Sequence, residues 1–246
     1  MNLINKITKQ DFKLLKEKYS DEEFPQILKK IEEGYPVQYL IGWVDFYGRK
    51  FIVNPSVLIP RFETELLVEK TIKYIKSNFK SASIIDIGTG SGAIAQTIYC
   101  ELKNQVESRI QAIDISAKAL GIARKNCDNS IELKKIDVLK DKINEKFDVV
   151  ISNPPYISIN EQVDIQTIHE PQNALYADNN GLIFYETILS KKLIKTKGLI
   201  AFEIGSTQGP YIKKLAEKYY PNAQILIEQD YTSRDRFVFI IQNLNK

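Results

Sequence analysis

Residues 83 to 92 read Ser-Ile-Ile-Asp-Ile-Gly-Thr-Gly-Ser-Gly, and they are the strongest indication of the fold class. Its apolar beginning predicts a buried strand, and the segment 93–98, rich in alanine and isoleucine, predicts a helix directly after it. Gly88, Gly90 and Gly92 let the backbone turn sharply and approach a ligand without a Cβ in the way. A strand, a glycine-rich turn and a helix in this order indicate a ligand-binding turn of an open α/β sheet.

The same turn fits two kinds of cofactor. The pattern Gly-x-Gly-x-x-Ala that begins at Gly88 satisfies the dinucleotide fingerprint, and Asp114, after the strand 109–113, stands where an acid binds a ribose diol. Both NAD and S-adenosylmethionine carry an adenosine ribose, so Asp114 does not separate them. Asp86, just before the glycines, faces a pyrophosphate unfavourably but can accept hydrogen bonds from the ammonium of a methionyl group. This acid favours S-adenosylmethionine as the cofactor.

A second informative stretch is Asn153-Pro154-Pro155-Tyr156, which follows the apolar strand 147–152. Two prolines stop the strand and stiffen the turn, so that the Asn153 side-chain carbonyl lies beside the Pro154 backbone carbonyl. Two fixed acceptors suit a planar –NH2 group because each can take one N–H bond, and Tyr156 can lie on its flat face. The turn predicts a substrate with an amide or exocyclic amine. The alternative is an Asx-type turn that only closes the strand.

These motifs resemble those of the HemK/PrmC-type protein-(glutamine-N5) methyltransferases, which modify peptide chain release factors. The Asn-Pro-Pro-Tyr turn is shared with amino-methyltransferases that act on adenine, whereas four flanking segments are more specific to the release-factor family. These segments are 35–42, 58–69, 169–175 and 230–236. The resemblance therefore covers most of the chain. One departure is Phe62, because the family usually has proline after the arginine that corresponds to Arg61.

The resemblance implies a fold and an activity. The fold is a Rossmann-like class I S-adenosylmethionine-dependent methyltransferase with a seven-stranded, mostly parallel α/β sheet. The implied activity moves a methyl group from S-adenosylmethionine to N5 of the glutamine in the Gly-Gly-Gln motif of a class I peptide chain release factor. The alternatives are a glutamine N5-methyltransferase of a ribosomal protein and a nucleic-acid adenine N6-methyltransferase.

The predicted site lies at the carboxyl ends of several strands. Asp137, after the strand 131–136, is expected to accept from the adenine amine with Val138 against the ring, unless Asp137 only caps its turn. The predicted cofactor-binding residues are Asp86, Gly88, Thr89, Gly90, Ser91, Gly92, Asp114, Asp137, Val138 and Asn153. The predicted catalytic residues are Asn153, Pro154 and Tyr156, and the predicted substrate-binding residues are Asn153, Pro154, Pro155 and Tyr156. No metal site is expected.

Two further polar residues have roles that the sequence leaves open. Arg61 either touches the carboxylate of the cofactor or a lid, or pairs with a neighbour such as Glu65. His169 is the only histidine of the chain. We interpret it as a structural part of the substrate channel rather than a general base, because no acid can be assigned to orient it.

Composition agrees with an intracellular enzyme. The chain has 246 residues, of which 43% are hydrophobic, so it can bury one α/β core with room for a small extra element. The net charge is +3 with acids and bases interspersed, whereas a nucleic-acid surface needs clustered Lys and Arg. Cys100 and Cys127 are expected to be reduced thiols. No apolar stretch approaches the ~20 residues that cross a bilayer, so we expect a cytoplasmic monomer without a membrane or direct nucleic-acid partner.

Three regions are predicted along the chain. Residues 1–34 form a small helical substrate-recognition region of two short helices, broken near 20–25. Residues 35–60 form a linker with a β-hairpin, and residues 61–246 form the methyltransferase catalytic domain. Strands alternate with helices in this domain until the last two strands, which predicts a doubly wound sheet that ends in a hairpin. The expected strands are 83–87, 109–113, 131–136, 147–152, 198–204, 223–228 and 236–242.

Overall fold

The computed structural model describes residues 7–158 and 167–243. Residues 1–6 of the predicted helical region lie outside the described residues. The same holds for the segments 159–166 and 244–246 of the predicted catalytic domain.

Three short helices begin the described chain. They are α1 (Lys9–Lys18), α2 (Phe24–Glu32) and α3 (Val37–Ile41). Their apolar faces share one cluster, in which Leu15, Phe24 and Ile31 are buried. The two helices expected before Gly34 are present, whereas α3 lies in the segment predicted as a hairpin linker. Pro25 was expected in the break between the helices, but it occupies the first turn of α2, where a missing N–H removes no helical hydrogen bond.

The predicted hairpin follows α3. Its strands are β1 (Trp43–Phe46) and β2 (Arg49–Ile52), paired antiparallel with Trp43 opposite Ile52. Tyr47 and Gly48 both have positive φ, as a two-residue type I′ turn requires. Phe46 and Phe51 point from the hairpin into the main core and are almost fully buried there. The hairpin is therefore packed on the catalytic part.

A seven-stranded sheet forms the centre of the structure. The strands after the hairpin are, in chain order, β3 (Ser81–Ile87), β4 (Glu107–Asp114), β5 (Glu132–Lys135), β6 (Phe147–Ser152), β7 (Ile157–Ser158), β8 (Tyr176–Ala177), β9 (Ile194–Glu203), β10 (Gln224–Gln229) and β11 (Asp235–Gln242). The order in the sheet is β10-β11-β9-β6-β3-β4-β5, and the short strands β7 and β8 pair with each other. The five strands from β9 to β5 are parallel, while β11 runs antiparallel to both β9 and β10. The prediction of a mostly parallel sheet with a final hairpin is confirmed.

Helices cover both faces of this sheet. They are α4 (Phe62–Asn78), α5 (Ala93–Leu102), α6 (Ala117–Asn126), α7 (Ile183–Ser190) and α8 (Gly209–Tyr219). Successive strand residues point to opposite faces, so Ile84 joins a core cluster with α4 and α5, and Ile85 joins a cluster with α7 and α8. Apolar residues on both faces explain why these strands read as nearly continuous apolar runs.

The chain reverses its direction through the sheet beside β3. It moves from β3 outward to β4 and β5, and then returns to β6 on the other side of β3. Loops that leave β3 and β6 at their carboxyl ends therefore diverge and leave a crevice, which is where open α/β sheets bind ligands. The glycine turn and the Asn-Pro-Pro-Tyr turn meet at this edge.

Candidate active site

A cavity of about 380 Å³ lies at the carboxyl edge of the sheet, beside β3 and β6. It brings together three groups that the sequence predicts, namely the glycine turn, the acids at strand ends and the proline turn. The predicted site residues that line it are Gly88, Gly90, Asp114, Asp137, Val138, Asn153, Pro154 and Pro155. Five other predicted site residues are not part of this lining. They are Asp86, Thr89, Ser91, Gly92 and Tyr156.

Gly88 and Gly90 give the turn its shape. Their φ angles are 75° and 55°, in the left-handed region that side chains with a Cβ rarely adopt. A Cβ added at either residue would meet no atom within 4 Å, so it would occupy open space. The backbone is therefore exposed to the cavity at both positions, and a ligand can lie directly against it.

Gly92 serves a different purpose. Its φ is 82°, but a Cβ at this position would lie 2.4 Å from the sulfur of Cys127 and 3.3 Å from Cβ of Ala123. The missing side chain makes room for α6 to pack against the beginning of α5. Gly92 supports the turn from behind, although the sequence grouped it with the residues that contact the cofactor.

We expect Gly92→Ala to lower the free energy of unfolding more than Gly88→Ala. Both variants carry backbone strain of ~1–2 kcal/mol, since both glycines have positive φ. Gly92→Ala adds overpacking against Cys127 of ~1–3 kcal/mol. Denaturant unfolding measures the difference, and the double variant Gly92→Ala/Cys127→Ala should recover the overpacking part. Equal destabilisation by the two single variants would contradict this explanation.

Asp114 holds the glycine turn and also lines the cavity. Its Oδ2 accepts from the backbone N–H of Gly90 at 2.9 Å, and its Oδ1 accepts from the N–H of Ser116 at 2.8 Å. Burial raises the pKa of this carboxyl above its ordinary value. Each carboxylate oxygen can accept a further hydrogen bond, so the acid can bind two neighbouring hydroxyl groups from its place beside the turn.

Asp86 is fully buried below the glycine turn. Its Oδ2 accepts from the Thr89 hydroxyl at 2.6 Å, while its Oδ1 has no hydrogen-bond partner among the described residues. Burial raises the pKa of Asp86 to about 7. The carboxylate is buried in the structure, and the contact between Asp86 and a methionyl ammonium stays a prediction. Through its hydrogen bond with Thr89, Asp86 also supports the glycine turn.

Ser91 is tied to the hairpin. Asn126, the last residue of α6, donates through Nδ2 to the carbonyl of Ser91 at 2.8 Å and to the carbonyl of Ile52 at 2.9 Å. Its Oδ1 accepts from the N–H of Ile52 at 2.8 Å. One side chain thus joins the glycine turn to the strand β2.

Asp137 and Val138 form the far wall of the cavity. Oδ1 of Asp137 accepts from the N–H of Leu139 at 2.9 Å, and Lys140 lies 3.7 Å from Oδ2. The turn-capping role that the sequence left open is therefore present. Val138 is buried and gives the cavity an apolar surface. Contact of Asp137 and Val138 with an adenine ring stays a prediction.

The proline turn lines the cavity through Asn153, Pro154 and Pro155. Asn153 donates through Nδ2 to the hydroxyl of Thr64 at 3.2 Å, which leaves its Oδ1 for another partner. The carbonyl of Tyr156 accepts from Nε2 of Gln208 at 3.0 Å, which fixes the end of the turn. The Tyr156 ring packs beside the cluster of α7 and α8, and burial raises its pKa to about 12. A stacking role for this ring on a substrate stays a prediction.

A loop closes one side of the cavity. Glu170 forms an ion pair with Arg61, and its Oε2 accepts from the N–H of Ile59 at 3.0 Å. The sequence suggested Glu65 as the partner of Arg61, but Glu65 accepts from the N–H of Tyr47 at 2.9 Å. The loop lines the cavity from the next residue onward, through Pro171, Asn173, Ala174, Tyr176 and Ala177.

The ring of His169 packs against Tyr35, with ring centroids 5.2 Å apart. His169 is not among the residues that line the cavity. The ring therefore contacts Tyr35 rather than the cavity, and a structural role for His169 stays a prediction.

Residues that the sequence did not assign also support the site, namely Asn126, Thr64, Glu170, Gln208 and Glu203, which accepts from the Thr64 hydroxyl at 2.6 Å. Thr64 and Glu170 lie inside segments that resemble family signatures, so their positions carried a usable signal. Glu203 is an acid within the apolar run 199–204, which is unusual for a buried strand. Gln208 carries no comparable signal, because a glutamine in a loop is ordinary.

Within the described ranges, no group of His, Cys, Asp and Glu has the arrangement of a metal site. The helices of the same ranges fall short of the length and hydropathy that a membrane span requires. Cys100 and Cys127 are free thiols.

The chain is similar to known methyltransferases. The family model of the methyltransferase small domain matches residues 62–185. A release factor glutamine methyltransferase of Enterococcus faecalis is 40% identical over 225 residues, which cover 88% of this chain and 79% of that protein. One from Bacillus subtilis is 38% identical over 248 residues, 94% of this chain and 85% of that protein. A methyltransferase crystal structure from Pyrococcus furiosus shares the fold with a TM-score of 0.55 at 14% identity, covering 91% and 99% of the two chains.

Proposed function

Because the chain belongs to the release factor glutamine methyltransferases, we propose that it transfers a methyl group from S-adenosylmethionine to the side-chain amide nitrogen N5 of a glutamine in a peptide chain release factor. The observation that carries the proposal is one cavity lined by both the glycine turn and the Asn153-Pro154 turn. The first turn suits an adenosine cofactor and the second suits a planar primary amide.

The residues of the cavity fit the cofactor. Open space at Gly88 and Gly90 forms a cradle that a Cβ would fill, and Asp114 stands beside it as an acceptor for the ribose hydroxyls. Val138 offers an apolar surface for the adenine, and Asp137 lies next to it. S-adenosylmethionine, when bound, supplies an activated methyl group on a sulfonium sulfur.

The amide nitrogen is a weak nucleophile because its lone pair is delocalised into the carbonyl. We propose that Oδ1 of Asn153 and the carbonyl of Pro154 each accept one N–H of the substrate amide. Two such hydrogen bonds increase the electron density on nitrogen and aim its free face at the methyl group. Positioning of this kind supplies ~7–11 kcal/mol in well-aligned reactions.

Proton removal follows from the acidity of the product. The nitrogen forms a bond to the methyl carbon while the carbon–sulfur bond breaks, and the alkylated amide then carries one N–H proton too many. Such a cation is strongly acidic, so water can take the proton without a dedicated base. The position of His169 against Tyr35, away from the cavity lining, supports a mechanism without a histidine base.

We propose the glutamine of a Gly-Gly-Gln motif in a class I release factor as the substrate. A long unbranched side chain can reach the Asn153-Pro154 turn at the edge of the sheet. Glycines beside the glutamine permit a close approach of the two backbones that bulkier residues would block. Membership of the family supports the same substrate class.

A labelling experiment tests the proposed function. The purified chain is mixed with labelled S-adenosylmethionine and, in separate reactions, with an intact release factor, ribosomal proteins or DNA, and mass spectrometry then locates the label. We expect label on the glutamine of the release factor. Label on a ribosomal-protein glutamine or on adenine, with the release factor unmodified, would overturn the substrate but retain an amino-methyltransferase.

We propose that residues 1–34 recognise the release factor and that residues 61–246 carry the chemistry. Deleting the helices is a poor test, because Lys18 and Tyr19 donate to the carbonyl of Leu40 and the helices share one apolar cluster with α3. An exposed aromatic residue, Phe12, is 41% accessible on α1 and offers a gentler change.

Phe12→Ser is expected to raise KM for the intact release factor several-fold. Its expected effect on a short Gly-Gly-Gln peptide is small, because such a peptide reaches the cavity without touching α1. Steady-state kinetics with the two substrates give the comparison, and the peptide serves as the internal control for folding. An equal rise of KM for both substrates, or none for either, would contradict the recognition role.

We further propose that the enzyme acts in the cytoplasm as a monomer. Translation termination takes place in that compartment, and free thiols at Cys100 and Cys127 agree with a reducing environment. Size-exclusion chromatography with light scattering tests the oligomeric state, for which we expect the mass of one chain.

A further inference from the structure

A row of three polar side chains lies behind the proline turn. Thr64 is in the first turn of α4, Glu203 ends β9 and Asn153 follows β6. Nδ2 of Asn153 donates to the Thr64 hydroxyl at 3.2 Å, and this hydroxyl donates to Oε2 of Glu203 at 2.6 Å. Thr64 is 4% exposed and Glu203 is 2% exposed, so water does not compete for these hydrogen bonds.

Glu203 fixes the direction of both hydrogen bonds. An ionised carboxylate can only accept, so the single hydrogen of the Thr64 hydroxyl must point at Glu203. Thr64 then has only lone pairs to offer on its other side, and Asn153 must turn its –NH2 toward them. The carbonyl oxygen of Asn153 therefore points away from Thr64, and Asn153 itself lines the cavity.

The position of this oxygen matters because an asparagine amide has two ends of nearly equal size. Packing alone cannot tell oxygen from nitrogen, so a hydrogen-bond partner of fixed polarity has to select the orientation. A flipped Asn153 would present –NH2 to the –NH2 of the substrate. Two donors cannot form a hydrogen bond, and the reactive geometry would be lost.

We propose that Thr64 and Glu203 are positioning residues that hold the amide of Asn153 with its carbonyl oxygen toward the substrate nitrogen. This inference rests on the proposed function. Neither residue touches the substrate, since neither lines the cavity, and both act through Asn153.

The surroundings of Glu203 keep it in place. The Tyr185 hydroxyl donates to the backbone carbonyl of Glu203 at 2.8 Å, from the face that α7 covers. Burial raises the pKa of the Glu203 carboxyl to about 7, against the attraction of Arg236 and the hydrogen bond from Thr64. A higher assay pH favours the ionised form, in which Glu203 is an acceptor only, so the variants are compared at pH 8 and pH 9.

Thr64→Val is the first test, because valine keeps the shape of threonine and removes the hydroxyl. We expect kcat to fall roughly tenfold, the effect of losing about one hydrogen bond of this strength, with the Kd of S-adenosylmethionine unchanged. Thr64→Ser restores the hydroxyl and should recover most of kcat. Thr71→Val is the matched control, because Thr71 is a buried threonine of the same helix whose hydroxyl donates to the carbonyl of Leu67 at 2.7 Å.

Glu203→Gln is the second test. Glutamine is almost the same size, but its –NH2 can donate to Thr64, which then can donate to Oδ1 of Asn153 and reverse the amide. We expect a loss of kcat at pH 8 at least as large as that of Thr64→Val. The double variant should be no slower than Glu203→Gln alone, since both residues act through one contact.

The outcomes separate the two proposals. If the unmodified enzyme does not methylate a release factor, the proposed function fails. If it does methylate the factor, any of three results would overturn the positioning role alone. These are a wild-type kcat in Thr64→Val, a failure of Thr64→Ser to recover kcat, and an equal loss of kcat in Thr71→Val. Loss of cofactor binding together with kcat in Thr64→Val would also overturn it, because that result indicates a structural role.

Discussion

Asn153→Ala is expected to lower the rate of methyl transfer by ~10²–10³, the usual cost of removing one preorganised catalytic contact. The affinity for S-adenosylmethionine should change far less, because the glycine turn and Asp114 stay in place. The physical reason is that the alanine variant leaves one N–H of the substrate amide without its acceptor, so the nitrogen is neither aimed nor made more electron-rich. Single-turnover kinetics measure the rate, and calorimetry measures the affinity for the cofactor.

His169→Ala is the comparison for this experiment. His169 contacts Tyr35 and lies outside the cavity lining, so its loss should be milder than the loss of Asn153. An inactive His169 variant beside an Asn153 variant with near-normal methylation would reverse the roles of the two residues.

Asp114→Ala should weaken the binding of S-adenosylmethionine by ~1.5–3 kcal/mol, which is roughly 10- to 150-fold in Kd. The variant removes an acceptor for the ribose, and it also frees the N–H of Gly90 that Asp114 holds at 2.9 Å. Calorimetry with the purified chain measures the change.

The matched control is Asp128→Ala. Asp128 also accepts from a backbone N–H two residues later, that of Ser130 at 2.9 Å, but it does not line the cavity. We expect near-normal cofactor binding in this variant. Binding of NAD by the wild-type chain without binding of S-adenosylmethionine would overturn the cofactor assignment, and unchanged affinity in Asp114→Ala would overturn the role of Asp114.

The strands of the sheet could be predicted because burial on both faces produces apolar runs. The strand β6 has the predicted bounds 147–152, and β3 begins two residues earlier than expected. The strand β9 was expected from 198 but begins at Ile194. Residues 195–197 of this strand are polar and exposed, so an apolar run does not mark them as part of the strand.

The centre of the site could also be predicted, because its residues follow strands directly and strand ends meet at one edge. The contacts that support the site from behind could not be predicted from the sequence. Thr64 and Glu203 are 139 positions apart in sequence, and Arg61 and Glu170 are 109 apart. Periodicity describes neighbours along the chain and carries no information on such pairs. For the same reason the sequence offered Glu65, one helical turn away, as the partner of Arg61.

The contact between Gly92 and Cys127 has a consequence for sequence evolution. A Cβ at position 92 would lie 2.4 Å from the Cys127 sulfur, so the two positions share one volume. A related sequence that gains a side chain at position 92 must shrink position 127 or move α6, and the positive φ penalises the change even then. Position 127 is free to become smaller, whereas position 92 is not free to become larger. Substitutions among relatives should therefore be asymmetric, with alanine or serine replacing the cysteine far more often than any residue replaces the glycine.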